Sequence, residues 1–482
     1  MASLDKTSVR EEVARLKADF EQLSRQGKVT PETGALFKSL LLIVELILSI
    51  FLERQTRKTS KNSSLPPSQT DKDETSLVRS AAPKRQLASE TVTNHRRVET
   101  VTVSAVESCD VCGSPLDGVE CCGHERRTKI DIVFEKVVEH VDAEVKQCPE
   151  CASTVKGLFP ADMSGPLQYG NGLKAYLVNL MVAQMLPLAR TQSLTESLLG
   201  ERLSESTLLH FLSRLHQALE PWEQSAMACL LKQPAMHVDE SGFRVEGKNH
   251  WIHVHAAGHI TLKCLHRKRG KAAIEDINLI PRYGGTIIHD CWASYFAYDD
   301  CSHGLCGSHL LRELAFMVEA HGHAWAKNMK RLLKETALAV KQTPDKCLDD
   351  KQYANLQKRY RTILTRGEKE LPPLPSRPSG KRGRLAKSEA QNLWERLKRH
   401  EQSVLLFARE PHVAFTNNRA ERDVRMAKVK QKVSGCFRTT RYAEAYCRIS
   451  SYLQTTANLG YNPLIAIQMA LAGEAVTVPG GE

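Results

Sequence analysis

The sequence lacks an apolar run long enough to cross a membrane as a helix. A bilayer needs about 20 consecutive apolar residues. The most apolar stretch, residues 36–52, is 17 residues long and includes Lys38, Ser39 and Glu45. Its apolar residues, like those of residues 9–23, recur in steps of three and four, the a/d spacing of a coiled coil. We therefore expect self-associating helices in residues 1–53, with an amphipathic helix packed on the rest of the chain as the alternative.

The first 30 residues show no secretory pattern, because charges are scattered through them, so we expect an intracellular chain. In an intracellular chain, the 14 cysteines are expected to be metal ligands or small buried residues rather than a disulfide framework. Cys109, Cys112, Cys148 and Cys151 form two Cys-x-x-Cys pairs, which can supply the four thiolates that tetrahedral Zn²⁺ favours. The sequence therefore predicts a zinc ribbon and a reducing cytoplasmic location.

Two strands of that ribbon are expected at residues 129–134 and 139–146, where apolar and polar residues alternate. Between the cysteine pairs lie three further candidate ligands that could compete for the metal: Cys121, Cys122 and His124.

Basic residues outnumber acidic residues by 67 to 55, which gives a net charge of +12. A polyanion is a natural partner for such a chain, although the charge could serve solubility alone. The 482 residues exceed one typical domain, and 41% hydrophobic residues are ample for packed cores. Residues 54–100 are polar, aperiodic and contain Pro66-Pro67, so we expect a flexible linker there.

Helical patterns fill residues 165–230. A first short helix reaches Gly200, and Ser204 then precedes a second helix over residues 206–215. A glycine turn and a serine N-cap between two helices outline a helix-turn-helix. Such a unit can place its second helix in a DNA major groove, whereas a helical hairpin that binds nothing is the alternative.

Strand patterns begin near residue 235. The predicted elements, in order, are strands at 236–244, 251–257 and 261–265, a helix at 271–279 and a strand at 286–289. A three-stranded antiparallel meander, a helix and a further strand open the ribonuclease-H fold. In that fold one metal-binding acid lies on the first strand and a second follows the fourth, which are the positions of Asp239 and Asp290.

A third acid, Glu421, lies near the start of a predicted helix. Three carboxylates can hold two divalent cations about 3.5–4 Å apart, which stabilise both oxygens of an in-line phosphodiester displacement. Each acid also has a plainer explanation: an Asp can cap a turn, and Glu421 stands at capping-box spacing from Asn418. Glu240 competes with Asp239, but neighbours on a strand point to opposite faces.

Five segments carry a family resemblance. They are His-Val-Asp-Glu-Ser-Gly-Phe-Arg-Val-Glu-Gly-Lys-x-His-Trp (237–251), Arg-Gly-Lys-x-Ala-Ile (269–274), His-Asp-Cys-Trp-Ala-x-Tyr-Phe (289–296), Cys-Gly-Ser-His-Leu-Leu-Arg-Glu-Leu (306–314) and Asn-Asn-Arg-Ala-Glu-Arg-Asp-Val-Arg-Met-x-Lys-Val-Lys-Gln-Lys-x-Ser-Gly-Cys-Phe-Arg (417–438). The last run is highly specific. Together with the heptads, the linker and the cysteine pairs, these segments make nearly the whole chain resemble transposases of the insertion-sequence-66 family.

The resemblance implies a DDE transposase with a retroviral-integrase-like core. Carried over by position, the catalytic residues and Mg²⁺ (or Mn²⁺) ligands are Asp239, Asp290 and Glu421. The implied activity is cleavage of DNA at element ends, followed by transfer of the freed 3′-hydroxyl into target DNA. The alternatives are a ribonuclease-H-like nuclease that only hydrolyses and a domesticated DNA-binding regulator.

Cys306 and His309 resemble the Cys-x-x-His signature that follows the second acid in several DDE families. We expect them to brace the next helix, with a zinc site that includes Cys301 and His303 as the alternative. The chain departs from the family at Gly307-Ser308, where the family has Asn-Ala. The resemblance further implies element ends and target DNA as partners, a homo-oligomer, small companion proteins of the element and a bacterial cytoplasmic location, nucleoid-associated on DNA.

Residues 301–410 are predicted to form a helical insertion, with helices at 309–343, 349–364 and 389–408. A basic, proline-rich segment, 366–387, either grips the phosphate backbone or is a solvated loop. Its basic residues are Lys369, Arg377, Lys381, Arg382, Arg384 and Lys387.

The helix of Glu421 carries a run of basic residues that predicts DNA held beside the metals, with a plain surface face as the alternative. These residues are Arg419, Arg422, Arg425, Lys428, Lys430 and Lys432.

The sequence thus predicts a multidomain α+β protein. Its expected parts are a coiled coil (1–53), a flexible linker (54–100), a zinc ribbon (101–160), a helix-turn-helix region (165–230) and a ribonuclease-H-like α/β core (231–300 and 411–472) with the helical insertion (301–410).

Overall fold

The computed structural model describes residues 135–373 and 387–479, residues 102–132 except 104 and 131, and a few isolated residues before residue 41. The predicted linker lies outside the described residues, as does nearly all of the predicted coiled coil. Residues 374–386 of the basic loop, including Arg377, Lys381, Arg382 and Arg384, also lie outside them.

The chain is mixed α/β. Its strands are β1 (Val145–Gln147), β2 (Thr154–Lys156), β3 (Ala235–Val245), β4 (Lys248–Ala257), β5 (Ile260–His266), β6 (Thr286–His289) and β7 (Ser302–Leu305). Its helices are α1 (Asn171–Val182), α2 (Leu188–Leu199), α3 (Glu205–Ala218), α4 (Glu220–Leu231), α5 (Lys271–Ile277), α6 (Gly307–His321), α7 (Ala324–Gln342), α8 (Asp350–Glu368), α9 (Glu389–Arg399), α10 (Glu401–Leu405), α11 (Asn418–Ser434), α12 (Thr440–Asn458) and α13 (Pro463–Leu471). Within the described residues, no helix is both long and apolar enough to span a membrane.

The chain divides into two compact units. Of the residues described after residue 101, unit 1 contains those of Ile288–Trp292 and Ser302–Asn417. Unit 2 consists of Ala81–Ile287, Ala293–Cys301 and Asn418–Glu482.

The sheet of unit 2 is an antiparallel meander of β3, β4 and β5, as predicted. Glu246 and Gly247 join β3 to β4 with φ of 53° and 72°, the two left-handed residues of a tight hairpin turn. After α5, strand β6 starts next to β3, since the Thr286 N–H donates to the Pro234 carbonyl at 3.0 Å. The element order predicted from the sequence is therefore confirmed for these strands.

Strand β5 is the outer strand of the meander, and helix α12 lies along it. The Thr261 N–H donates to the Thr455 hydroxyl at 3.1 Å, and the Lys263 N–H donates to the Ser451 hydroxyl at 2.9 Å. Hydroxyl groups of α12 thus accept hydrogen bonds from backbone N–H groups of β5 that could otherwise donate to a neighbouring strand.

Helices α2 and α3 have the outline predicted from their sequence. Helix α2 ends at Gly200 with φ of 67°, and the Ser204 side chain caps α3 by accepting from the Thr207 N–H at 3.1 Å. Helix α3 packs against α12 and α13 through buried residues that include Leu208 and Leu215. This packing anchors the helix pair on the rest of unit 2.

In unit 1, strands β6 and β7 are neighbours, and β7 was not predicted. The single helix predicted over residues 309–343 was wrong, because α6 ends at Gly322 (φ 68°) and α7 begins at Ala324. Helices α8 and α9 pack together, with the Tyr360 hydroxyl donating to the Leu397 carbonyl at 2.9 Å. The helix predicted over residues 389–408 is likewise broken at His400, between α9 and α10.

Candidate active site and nucleic-acid interface

Asp239 lies in the middle of β3 and is half-buried. It pairs across the sheet with Val254, which in turn pairs with Lys263 on β5. Directly paired residues project from the same face of a sheet, so these three side chains share one face of the meander. One carboxylate oxygen of Asp239 accepts the Glu240 N–H at 2.9 Å.

Glu240 projects from the opposite face and is held there by two partners. Its carboxylate accepts from Arg269 Nε at 2.9 Å and from the Tyr295 hydroxyl at 2.6 Å. The Glu240 side chain is only 1% exposed. The two neighbouring acids are thus separated by strand alternation, as predicted, and Glu240 is committed to a buried ion pair.

Glu421 lies in the first turn of α11 and is half-buried. Helix α11 packs on β3 and β4, and Asp423 on this helix accepts from the Thr261 hydroxyl at 2.8 Å. Thr261 lies on the same sheet face as Asp239 by the strand register. The helix of Glu421 therefore covers the face that carries Asp239. The helix already includes Asn418, whereas a capping box on Asn418 would place that residue before the first turn.

Asp290 directly follows β6 and belongs to unit 1. The next residue, Cys291, has φ of 73°, which is unusual for a residue with a side chain and typical of a constrained local backbone. One Asp290 oxygen accepts the Trp292 N–H at 3.1 Å. The Asp290 side chain therefore bridges across Cys291 to the backbone of Trp292 and holds the turn after β6 in this conformation.

His289 supports this turn from within unit 1. It is fully buried, its Nδ1 accepts the Cys291 N–H at 3.2 Å, and its Nε2 lies 3.2 Å from Nδ1 of His303. Burial, followed by the neighbouring His303 and His400, holds the pKa of His289 well below its usual value. The ring is consequently neutral at pH 7 and acts as a hydrogen-bonding brace for the turn.

Cys306 and His309 lie at the start of α6, and the sulfur and a ring nitrogen are within 4.8 Å of each other. The Cys306 sulfur accepts the Asn417 N–H at 3.1 Å, while the Cys306 N–H donates to the His289 carbonyl at 2.9 Å. Cys306 thus ties β6 to the segment that precedes α11. The Gly307 N–H donates to the Phe415 carbonyl at 2.8 Å, a second link to that segment.

A cavity of about 610 Å³ opens beside Glu421 in unit 2. It is lined by Gly258, His259, Asn418, Arg419, Glu421, Arg422, Arg425 and Asn458. Three guanidinium groups, an imidazole and two amides around one carboxylate form a lining suited to an anionic ligand with phosphate oxygens. Sequence reasoning missed His259 and Asn458, which come from the β4–β5 turn and the end of α12, far from the Glu421 motif along the chain.

The basic residues of α11 do not all face the same surroundings. Arg422, Arg425 and Lys432 are exposed. Arg419 donates from one guanidinium nitrogen to the Ile260 carbonyl at 2.8 Å, and burial lowers its pKa. Lys428 donates to the Gly242 carbonyl at 2.6 Å.

Lys430 corrects the predicted DNA-binding run. Its side chain is buried, and its ammonium donates to the Met181 carbonyl at 3.1 Å. Burial lowers the pKa of Lys430 to about 8. Because its ammonium faces the end of α1, Lys430 is a structural residue and not part of the exposed basic surface.

The two Cys-x-x-Cys segments form similar turns in unit 2. The Cys109 N–H donates to the Ser114 carbonyl at 2.9 Å, and the Cys148 N–H donates to the Ser153 carbonyl at 2.9 Å. The residue after each pair has a positive φ, 73° and 55°. A hydrogen bond to the Ser114 side chain lowers the pKa of Cys112 to about 7, and Ser153 lowers the pKa of Cys151 in the same way.

The strands around these turns are shorter than predicted. Strands β1 and β2 flank only the second turn, and the described residues among 129–134 lie outside any strand. Within the described part of the chain, no three of the four sulfurs lie within 4.8 Å of one another. The structure therefore presents two ligand pairs rather than one closed four-sulfur cluster.

Comparison with known proteins identifies the family. A model of the "Transposase IS66 family" matches residues 166–445, which include β3, β6, α11 and all three candidate acids. A search of curated proteins finds no match. Since the matched region covers more than half of the chain, the protein belongs to the IS66 family of transposases.

Proposed function

We propose that this chain catalyses DNA transposition, cutting DNA at the ends of an insertion sequence and joining the freed 3′-hydroxyl to target DNA. The observation that carries the proposal is the packing of the Glu421 helix on the sheet face of Asp239, beside an arginine-lined cavity. A nuclease needs carboxylates for metals and cations for phosphate. Unit 2 supplies both next to each other.

Asp239, Asp290 and Glu421 would hold the divalent metals in a ribonuclease-H-like core. The donor set fits Mg²⁺ or Mn²⁺, which prefer hard oxygen ligands from a few carboxylates together with water and substrate phosphate. When bound, such ions activate the attacking oxygen and stabilise the leaving oxygen of an in-line displacement. Asp239 and Glu421 come from elements that pack together in unit 2, and Asp290 comes from unit 1.

The residues around the acids position them and the substrate. The neutral His289 and the left-handed Cys291 fix the turn that carries Asp290. Arg422 and Arg425 line the cavity with exposed guanidinium groups, which would bind phosphates of the strand being cut or joined. Arg419 holds the β4–β5 turn in place through the Ile260 carbonyl, so that His259 is kept at the cavity.

Further parts of the chain would bind DNA outside the active site. Helix α3, capped by Ser204, would act as the second helix of a helix-turn-helix and enter the major groove. Lys369 is the described residue at the start of the basic loop that would contact phosphates. Lys387, at the other end of the loop, instead donates to both carboxylate oxygens of Glu395 at 2.6 and 2.8 Å. The family resemblance also suggests a homo-oligomer working with small companion proteins in the bacterial cytoplasm.

A strand-transfer assay tests the proposed activity. Labelled element ends are incubated with target DNA and Mg²⁺ or Mn²⁺, and wild-type protein is expected to yield both cut and joined products. Asp239→Asn should abolish both, whereas Asp299→Asn, which changes an exposed acid of the same unit, should leave both intact. Joining that persists in Asp239→Asn contradicts the proposal. Cut products without joined products would indicate a nuclease that only hydrolyses.

We also propose that Cys109, Cys112, Cys148 and Cys151 hold one Zn²⁺. Two turns with matching hydrogen bonds and a lowered thiol pKa in each are suited to thiolate ligation. Metal analysis of purified protein should find about one zinc per chain, lost in Cys112→Ser but kept in Cys436→Ser, which removes an exposed cysteine elsewhere. Equal zinc in the two variants would rule out this ligand set.

A further inference from the structure

A buried polar group lies under the Glu421 helix. Asp423 is 1% exposed, and its Oδ2 accepts the hydroxyl hydrogen of the fully buried Thr261 at 2.8 Å. The other oxygen of Asp423 makes no hydrogen bond, and Nε of Arg422 lies 3.6 Å from it. The contact with Thr261 is therefore the one hydrogen bond of the Asp423 side chain that joins α11 to the sheet.

Lys263 completes the group from the same strand. It is 3% exposed and lies on the sheet face that also carries Thr261 and Asp239. Burial lowers the pKa of Lys263, and the negative charge of the nearby Asp423 opposes part of that shift. The two side chains are therefore close enough for their charges to interact, and removing either charge changes the surroundings of the other.

Such a buried polar group restricts the position and the orientation of a helix more tightly than apolar packing does. Apolar contacts are non-directional, whereas a hydrogen bond weakens steeply as its angle changes. Asp423 thus helps to set the rotation and the axial position of α11 over the sheet, together with the hydrogen bonds from Arg419 to the Ile260 carbonyl and from Lys428 to the Gly242 carbonyl. Glu421 is two residues away on the same helix, so any rotation or slide of α11 moves the Glu421 carboxylate by a similar amount.

We propose that Asp423, Thr261 and Lys263 are positioning residues that set the Glu421 carboxylate over the sheet face of Asp239 for metal binding. This inference rests on the proposed function, because it assigns Glu421 a metal. A displacement of about 1 Å in a reacting group can cost about 100-fold in rate. Loss of a residue that orients a metal ligand typically costs about 10–100-fold in metal affinity.

The test measures Mn²⁺ binding by calorimetry without DNA, alongside strand transfer. Thr261→Val removes the hydroxyl and keeps the β-branched shape, and Thr261→Ser restores the hydroxyl. The matched control is Thr456→Val, since Thr456 is also buried in unit 2 but its hydroxyl donates to Leu453 of its own helix. We expect Thr261→Val to weaken Mn²⁺ binding about tenfold or more, with Thr261→Ser and Thr456→Val near wild type.

A double variant guards against simple misfolding of Thr261→Val. Asp423→Leu with Lys263→Met replaces the buried charges by apolar side chains, a change that is often neutral or stabilising for the fold. We expect this folded variant to lose Mn²⁺ affinity as Thr261→Val does, and to recover part of its strand transfer at high Mn²⁺.

The outcomes separate this proposal from the proposed function. Wild-type Mn²⁺ affinity in both Thr261→Val and the double variant overturns the positioning role, even if thermal stability falls. If instead Glu421→Ala leaves Mn²⁺ affinity unchanged in the wild-type background, Glu421 is not a metal ligand. The proposed function then fails first, and the positioning role fails with it.

Discussion

Gly307 lies against the ring of Phe415, so closely that a Cβ added at position 307 would stand 2.2 Å from the ring's Cζ. No side chain fits there without moving the ring. The space above Gly307 is therefore filled by Phe415, in the segment that leads into the Glu421 helix. Phe415 therefore restricts position 307 to glycine.

Gly307→Ala should destabilise unit 1 by about 1–3 kcal/mol, because overpacking forces the ring or the backbone to move. Phe415→Leu should recover part of that loss in the double variant. Chemical denaturation of the three proteins measures both effects. Gly284→Ala is the control, since an added Cβ there meets nothing within 4 Å. An unchanged denaturation midpoint in Gly307→Ala contradicts the close approach.

Asp239 and Glu240 should respond in opposite ways to loss of charge. Glu240→Gln removes the buried carboxylate charge that faces the half-exposed Arg269 and should destabilise the protein by about 1–3 kcal/mol. Asp239→Asn should leave the protein folded, because the amide keeps the size of the side chain and an oxygen that can accept the Glu240 N–H, while abolishing strand transfer. Thermal unfolding measures the stability of both variants, and the strand-transfer assay measures their activity. An active Asp239→Asn, or a Glu240→Gln as stable as wild type, would reverse the assignment.

The exposed basic residues of α11 should contribute to DNA affinity, and the buried one should not. Arg425→Ala should weaken binding to all duplex sequences alike and reduce the slope of log affinity against log salt by about 0.9, because one phosphate contact is lost. Lys430→Met should leave the slope unchanged, since its ammonium is bound to Met181. Fluorescence anisotropy at several salt concentrations gives both slopes. Equal slope changes in the two variants would show that Lys430 reaches DNA.

Lys430 should also make stability depend on pH. Burial lowers its pKa from 10.5 to about 8, so between these values the unfolded chain binds more protons than the folded chain. Stability therefore rises as the pH increases from about 8 towards 10.5, and below pH 8 this gain is absent. The test measures the free energy of unfolding of the wild type and of Lys430→Met at several pH values between about 8 and 10.5. A difference that stays constant with pH would contradict the lowered pKa.

The strands, and the elements that carry the candidate acids, were predictable because their signals are local. Alternation over a few residues fixes which side chains share a face, and Gly247 marks the hairpin turn, so the register that places Asp239 opposite Val254 follows from nearby residues. The start of α11, at Asn418, was also predictable from residues close to Glu421 in the sequence. These features needed no knowledge of distant contacts.

The remaining features depend on distant contacts that no local pattern records. The burial of Lys430 depends on α1, about 250 residues earlier in the chain, because the ammonium donates to the Met181 carbonyl. His259 reaches the cavity only because the β4–β5 turn lies beside α11. The break of the predicted long helix at Gly322 has a local cause. Gly322 is a left-handed C-cap residue, which is a signal in the sequence itself. The helical periodicity on both sides of it favoured one continuous helix instead.

The hydroxyls of Ser451 and Thr455 on α12 have a consequence for how copies of this chain can meet. They occupy backbone donors of β5 that would otherwise bind an incoming strand. An open sheet edge is a common route to edge-to-edge aggregation, and covering it with a helix is one way to prevent that. Helix α12 thereby keeps this edge of the sheet closed to unintended strand pairing between copies of the chain.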